Sequence, residues 1–315
     1  MQKNENSKYF QYKHGNHDTN TKHNSTRTPQ INKLKEFNQP GKDTSDAGSF
    51  YSCLSTPNKG FGVSSTDKDA WYYNMHHTKR GKAIIFNHEH FQVKNKNFES
   101  RAGTEMDCRN LEITLNNLGF SVIPYENLTL DELNDKIDYW AKKDYTKHDC
   151  FLMAVLSHGE EGIIYAKDRG YKPENILWGR FTGDKCITLA GKPKLFFIQA
   201  CQGDQLDSGV QLRTQVDGPS SFKIPIYADM LIAYSTVPNF VAWRNLKGSW
   251  FIEALCDALN KYGYVHDLLT ILTLVNHKVA IEFESNSIDP KMNKKKQIPC
   301  ITSMLTRFVK FEKEN

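Results

Sequence analysis

The 315-residue chain carries 41 Lys and Arg against 36 Asp and Glu, a net charge of +5, with 39% apolar residues, which suits a soluble protein of one large domain or two ordinary ones. No run approaches the roughly eighteen apolar residues of a membrane span, and the start, MQKNENSKYFQYKHGNHDTN, offers no apolar stretch for a secretory signal; membrane spanning and secretion are disfavoured and a cytoplasmic location is expected. The seven cysteines (Cys53, Cys108, Cys150, Cys186, Cys201, Cys256, Cys300) form no CxxC pair, which sets aside a disulfide framework and a zinc ribbon, and the scattered positive excess points to neither nucleic acid nor an anionic membrane as partner.

Residues 1–46 are rich in Asn, Lys, Thr and His and poor in apolar side chains, so they cannot bury enough surface to offset the entropy of ordering them. They read as a disordered leader, flexible to about residue 69, and His14, His17 and His23 read as part of that solvated tail. Order is expected from near Arg80. KAIIF at 82–86 predicts a short buried strand. Residues 103–119 predict a helix, with Thr104 as its cap, Met106, Leu111, Leu115 and Leu118 at helical spacing, and Gly119 as its stop. Residues 120–125 predict the next strand. Thr129 and Glu132 have capping-box spacing and open a helix whose apolar face is Leu133, Ile137 and Trp140.

Two fully apolar runs follow, at 151–156 and 195–198. Short apolar strands alternating with amphipathic helices predict an α/β domain with a largely parallel sheet. Between 203 and 223 the chain is polar, turn-rich and without period, a loop long enough to suggest function or disorder. A strand at 230–234, helices at 249–262 and 266–283, a solvated basic loop around Lys294 to Lys296, and a final strand at 301–308 complete the predicted elements.

Each long apolar run breaks abruptly into polar residues and glycine. FLMAVL leads into Ser157, His158 and Gly159, and LFFI into Gln199, Ala200, Cys201, Gln202 and Gly203. In an open parallel sheet the carboxyl ends of the strands form the ligand crevice. If these two strands are neighbours, His158 and Cys201 meet there. A thiol must become a thiolate to attack a carbonyl, and an adjacent imidazole can activate it and later protonate the leaving amine. Backbone N–H groups around Gly159 and Cys201 could then hold the oxyanion of a tetrahedral intermediate. Taken singly, each residue is better explained by ordinary packing; the pair in this context is the informative observation. The local signature Gln199-Ala200-Cys201-Gln202-Gly203, with a histidine upstream, sharpens it.

With that signature, residues from about Arg80 to Phe311 resemble an executioner (effector) caspase of the insect type. The segments RGKAIIFNHEHF, RAGTEMD, LSHGEEGIIYA, KPKLFFIQACQG, AYSTVPNFVAWRN, GSWFIEALC and KKQIPCITSMLT carry the resemblance in order. It implies the caspase-hemoglobinase fold, an α/β architecture with a mostly parallel central sheet flanked by helices, and a cysteine endopeptidase that cleaves after aspartate in apoptosis. It further implies Cys201 as nucleophile, His158 as general acid and base, the amides of Gly159 and Cys201 as oxyanion hole, and the backbone carbonyl of Glu99 as the group that orients the imidazole. Arg101, Gln199 and Arg244 are implied as the pocket for the substrate aspartate; guanidinium groups suit a carboxylate because they bind it by charge-assisted, bidentate hydrogen bonds. Trp243, Asn245, Trp250, Ser157 and Ala242 are implied as further substrate-binding residues, with core packing the alternative for Trp250. No metal and no organic cofactor is implied.

The resemblance also implies a zymogen. The leader would be removed after Asp46, in the sequence DTSD, and the chain cut after Asp217, in TQVD, by an upstream initiator caspase; Asp207 and Asp67 are weaker candidates. Residues 47–217 would form the large subunit and 218–315 the small one, a single catalytic domain of about 70–315. The partners implied are protein substrates with exposed aspartate motifs, the initiator caspase, inhibitor-of-apoptosis proteins, and a second copy joined through the final strand as a homodimer of large-small heterodimers. Departures from the family pattern are Val241, Ala242, a shorter loop at 245–250, and Asn286, Ile288 and Met292 in the late loop. They bear on the residues preferred before the aspartate. The alternatives are a catalytically silent caspase-like decoy or scaffold, and a legumain- or metacaspase-type peptidase preferring asparagine or basic residues.

Overall fold

The computed structural model describes residues 66–207 and 226–313, so the leader, Asp46, Asp217 and most of the long loop lie outside the described residues. Ten main elements follow in order: strand β1 (Lys79–Asn87), helix α1 (Thr104–Asn117), β2 (Phe120–Glu126), α2 (Leu130–Ala141), β3 (His148–Leu156), β4 (Lys194–Gln199), β5 (Met230–Tyr234), α3 (Trp250–Tyr262), α4 (Leu268–Glu282) and β6 (Cys300–Ser303). They form a six-stranded sheet in the order β6-β5-β4-β3-β1-β2, in which only β6 runs antiparallel.

The apolar runs are continuous because both faces of the sheet are covered. Along β3, Leu152, Ala154 and Leu156 join one core with α1, α3 and α4, packing with Leu111, Phe251, Leu255 and Ile271. Phe151, Met153 and Val155 point to the opposite face, onto Leu133, Ile137 and Trp140 of α2 and onto Trp178 and Phe181. The period of two divides one apolar run between two cores. Thr129 and Glu132 form the predicted capping box at the start of α2.

Four expectations change. Order begins before Arg80: Tyr73 is buried and its hydroxyl donates to Asp229 at 2.8 Å, while Arg307 donates to the carbonyls of Asp67 and Lys68. These partners come from the far end of the chain, so the local composition could not reveal them. Thr104 is not the cap of α1. Gly103, at φ 91°, occupies that position, and Thr104 is a buried first-turn residue that accepts from Arg101 and donates to Asn87. Met106 is exposed, because Cys108, Leu111 and Leu115 make the packed face. The final strand ends at Ser303 rather than at 308; beyond it Phe308 leaves the sheet to bond to Trp71.

The start of the sheet is tied by a buried ion pair. Asp149 accepts from Arg80 at 2.7 Å and from the backbone and ring N–H of His77 at 2.8 and 2.9 Å. Both Arg80 and Asp149 are almost fully buried. Asp149→Ala would leave the guanidinium buried without its counter-charge, and urea unfolding should show a loss of about 3–5 kcal/mol; a change below about 1 kcal/mol would mean that the pair is solvated.

Candidate active site

The site grows from the pairing of β3 with β4. Leu156 sits opposite Gln199, and beyond that pair the N–H of Ser157 donates to the Gln199 carbonyl at 3.0 Å. His158 and Cys201 therefore leave the sheet side by side. Gly159 lies so close to the second strand end that a Cβ there would stand 2.4 Å from the Cys201 carbonyl oxygen, a distance that only glycine permits. Both residues line a cavity of about 250 Å³ with Arg101, Gln199, Ala242 and Arg244.

Nε2 of His158 is 2.9 Å from the Glu99 carbonyl oxygen. A carbonyl can only accept, so Nε2 carries the hydrogen and Nδ1 is left as the basic nitrogen. Phe98 stacks on the imidazole at 4.8 Å and 15°, and Phe91 packs at 4.8 Å from another side. Burial first, and then the positive charges of Arg101 and Arg244, lower this imidazole to about 4 against the opposing pull of the Glu99 bond. It is neutral at physiological pH and able to take a proton.

Arg101 is 2% exposed, and its Nη1 donates to the His88 carbonyl at 3.0 Å and to the Thr104 hydroxyl at 2.6 Å. Burial, and then the neighbouring Arg244, pull its guanidinium down to about 9, still protonated at neutral pH. Burial likewise lowers Arg244, which donates to the Ala102 carbonyl. The carboxylates acting on both are Asp107 and, more weakly, Glu89; the Asp107 oxygens accept from the backbone N–H of Ser249 at 2.7 Å and the Ser249 hydroxyl at 2.5 Å. The two guanidinium groups thus face the cavity with a net positive charge that an incoming carboxylate would offset. Gln199 is buried beside them, and its Oε1 has no hydrogen-bond partner.

The remaining predicted positions divide. Ser157 lines the cavity, but its hydroxyl donates to the Tyr165 carbonyl at 2.5 Å. Ala242 touches Cys201 directly, its N–H 3.4 Å from the sulfur. Trp243 lines the cavity; its backbone N–H donates to Gln297 Oε1 at 2.7 Å, and Gln297 in turn donates to the Ser235 carbonyl. Trp250 is buried and stacks between Trp243 and Phe283 at 5.7 and 5.4 Å, so it meets the site only through the Trp243 ring. Asn245 is exposed and outside the cavity wall, accepting from the Lys247 N–H at 2.8 Å. Lys296, expected in a solvated loop, instead donates to the carbonyls of Phe283 and Asp207. Val241 and Met292, two of the departures from the family pattern, also line the cavity.

Phe91, Phe98, Asp107, Ser249 and Gln297 were not singled out from the sequence. The two phenylalanines lie in a polar, aperiodic stretch, and only the fold carries them to His158. Asp107 carried a usable signal, since an acid among the packed positions of a helix is rarely buried without a partner. Among the described residues no group of His, Cys, Asp or Glu is arranged to hold a metal ion, and no helix is long and apolar enough to cross a membrane.

A thiol and a neutral imidazole at adjacent strand ends of a mostly parallel sheet, beside a cationic pocket, are the groups that a cysteine peptidase selecting an acidic side chain would need. Residues 80–310 match the Caspase domain family. The chain is 53% identical over 287 residues to Caspase-1 of Spodoptera frugiperda, covering 89% of this chain and 94% of that one. It is 51% identical over 272 residues to Caspase drICE of Drosophila melanogaster, covering 84% and 79%, and 43% identical over 247 residues to Caspase-7 of Gallus gallus, covering 76% and 79%. The crystal structure of Caspase-1 from Spodoptera frugiperda matches with a TM-score of 0.75 at 53% identity, over 80% of this chain and 100% of that one. The chain belongs to the caspase family. It is an executioner caspase, an aspartate-specific cysteine endopeptidase made as a zymogen, and its family implies protein substrates and a dimer of paired large and small subunits.

The close approach at Gly159 generates a sharp expectation. Gly159→Ala must push the two strand ends apart by several tenths of an ångström or more, and hydrolysis of an aspartyl peptide should fall by about 100-fold, with the melting temperature little changed. Near-full activity in this variant would show that the strand ends tolerate separation.

Proposed function

We propose that Cys201 and His158 carry the chemistry and that Arg101, Arg244 and Gln199 select the substrate aspartate. Nδ1 of His158 takes the thiol proton as the sulfur attacks the carbonyl carbon after the aspartate. The carbonyl oxygen becomes an oxyanion, held by the N–H groups of Gly159 and Cys201. As it collapses, the imidazolium returns the proton to the leaving amine, and the peptide remains as a thioester on Cys201. Water, deprotonated by the same imidazole, then cleaves the thioester and restores the thiol. The Glu99 carbonyl does the work of an orienting third member, because it sets the tautomer. The observation that carries this reading is the Nε2 bond to Glu99, which leaves Nδ1 free at the end of β3. With nucleophile, base and both arginines present, nothing favours a silent decoy, and a pocket with two guanidinium groups disfavours a site built for asparagine or basic residues.

Trp243 is assigned as a wall of the substrate groove and Ala242 as a backbone contact to the bound peptide. Ser157 serves through its backbone. Asn245 is assigned a place where an acidic residue upstream of the aspartate would pass, and Trp250 supports Trp243 from behind. Since the Ala242 N–H lies on the Cys201 sulfur, substrate entry must displace that contact.

Processing after Asp46 and Asp217 would yield subunits 47–217 and 218–315. Two features favour the pieces staying together after the cut. β4 and β5 pair along their length from opposite sides of the cut, and Gln205 and Asp207 are bonded to Asn239 and Lys296. An initiator caspase is the proposed activator, inhibitor-of-apoptosis proteins are proposed partners of the trimmed chain, β6 is the proposed dimer edge, and the cytoplasm is the proposed location.

Cys201→Ala should abolish hydrolysis of an aspartyl peptide; full activity would sink the assignment. Arg101→Ala should remove most of the preference for aspartate over asparagine, which in the parent should reach about 10⁴-fold. The neutral imidazole exists above its lowered value, so kcat/KM should hold through mild acid and be lost as pH falls through about 4. An acid limb near 6.5 would show that His158 is solvated in the working enzyme.

A further inference from the structure

Lysines that lie apart in the sequence converge at the end of the sheet opposite the catalytic crevice. Lys79 and Lys82 on β1, and Lys143 just beyond α2, line a cavity of about 250 Å³ together with Tyr139 and His148, the first residue of β3. The acidic residue in its wall, Asp144, is engaged by the N–H and hydroxyl of Thr146. Among the described residues no carboxylate pairs with Lys79, Lys82 or Lys143. Lys192 adds a buried positive charge behind the cavity, held by the carbonyls of Tyr145, Thr146 and His148 at 2.9, 2.8 and 2.6 Å.

His148 is the second, independent observation. It is 8% exposed, and neither ring nitrogen has a hydrogen-bond partner. A buried imidazole always carries at least one N–H donor, and folded proteins seldom leave such a group unmatched. The groups facing it are Lys79 and Lys82 from β1, Lys192 ahead of β4 and Asp144 from the preceding loop. Burial first, and then the three lysines, hold it below the usual imidazole value. A cavity with this wall suits an anion.

The kind of anion follows from the donors. Arginine forks suit a flat carboxylate, whereas lysine ammonium groups act as point charges and suit a multiply charged, tetrahedral group. A second cavity of about 400 Å³ shares Tyr139 and Trp140 with the first and adds Tyr125, Asp135 and Lys136. The Tyr139 ring is half exposed. Lys143 Nζ stands 4.0 Å from the Tyr139 ring centroid, so an aromatic surface that already holds one ammonium, and the Asp135 carboxylate, lie beside the basic cavity.

We propose that the lysine-lined cavity at the amino ends of β1 and β3 is a binding site for a phosphate-bearing small molecule. The nine residues of β3 separate it from the peptidase crevice by roughly 30 Å, so the ligand binds without entering the reaction.

The test is calorimetric titration of the full chain with inorganic triphosphate and, separately, with ATP. Saturable binding at one site is expected. Lys79→Ala with Lys143→Ala should weaken it by at least about ten-fold, while Lys172→Ala with Lys261→Ala, two exposed lysines elsewhere, should change it by less than about two-fold. Hydrolysis of a short aspartyl peptide should be the same in both variants. In histidine-labelled protein, the His148 ring should titrate at higher pH once phosphate is bound, because the ligand's charge favours the imidazolium. Tighter binding of ATP than of triphosphate assigns a nucleotide; equal binding assigns a polyphosphate. Failure of both to saturate, or equal weakening in the two lysine pairs, would overturn the proposal.

Discussion

Parallel pairing of β3 with β4, in the register that sets Leu156 against Gln199, is the constraint from which the rest of the site follows. It brings residues that leave two different strands to the same height above the sheet. One strand then ends in an imidazole and the other in a thiol, with glycine allowing the backbones to touch. A shift of one residue would turn every side chain of β4 to the other face and break both cores at once. The apolar packing that stabilises the fold therefore also sets how Cys201 and His158 meet.

The cost of the site lies in its charges. Two guanidinium groups are brought together in a partly buried pocket, and the nearby carboxylate of Asp107 is held by Ser249 rather than by either of them. Gly103 lets the hairpin that carries Arg244 approach α1, since a Cβ at that position would stand 2.3 Å from the Asn245 carbonyl oxygen. The resulting positive field does two things. It attracts a carboxylate, and it helps to keep His158 neutral. In the proposed mechanism, selection of aspartate and readiness of the base thus share one physical origin.

Much of this was legible in the sequence, for reasons that can be named. Apolar runs covered on both faces announce buried parallel strands, and their abrupt ends mark the crevice; with the signature around Cys201, that was enough to single out Cys201 and His158 without coordinates. The capping box at Thr129 is local chemistry and formed as read. Thr104 misled because Gly103 can supply the same helix entry through its backbone alone, which frees the threonine hydroxyl to support Arg101. The packing of Phe91 and Phe98 on His158, and the ties from residues 67–73 to residues 229 and 306–308, depend on contacts between distant parts of the chain. The basic cavity was hidden in the same way: Lys79 and Lys82 on β1 meet Lys143, beyond α2, and His148, on β3, only in the fold.

The most direct measurement is a crystal structure of the protein after reaction with a peptidyl aspartyl fluoromethyl ketone. The expected result is a thioether bond from the Cys201 sulfur to the inhibitor's methylene carbon, with the aspartate carboxylate held between Arg101 and Arg244 and the His158 Nε2 still bonded to the Glu99 carbonyl. An adduct on another cysteine, or a carboxylate that contacts neither arginine, would contradict it.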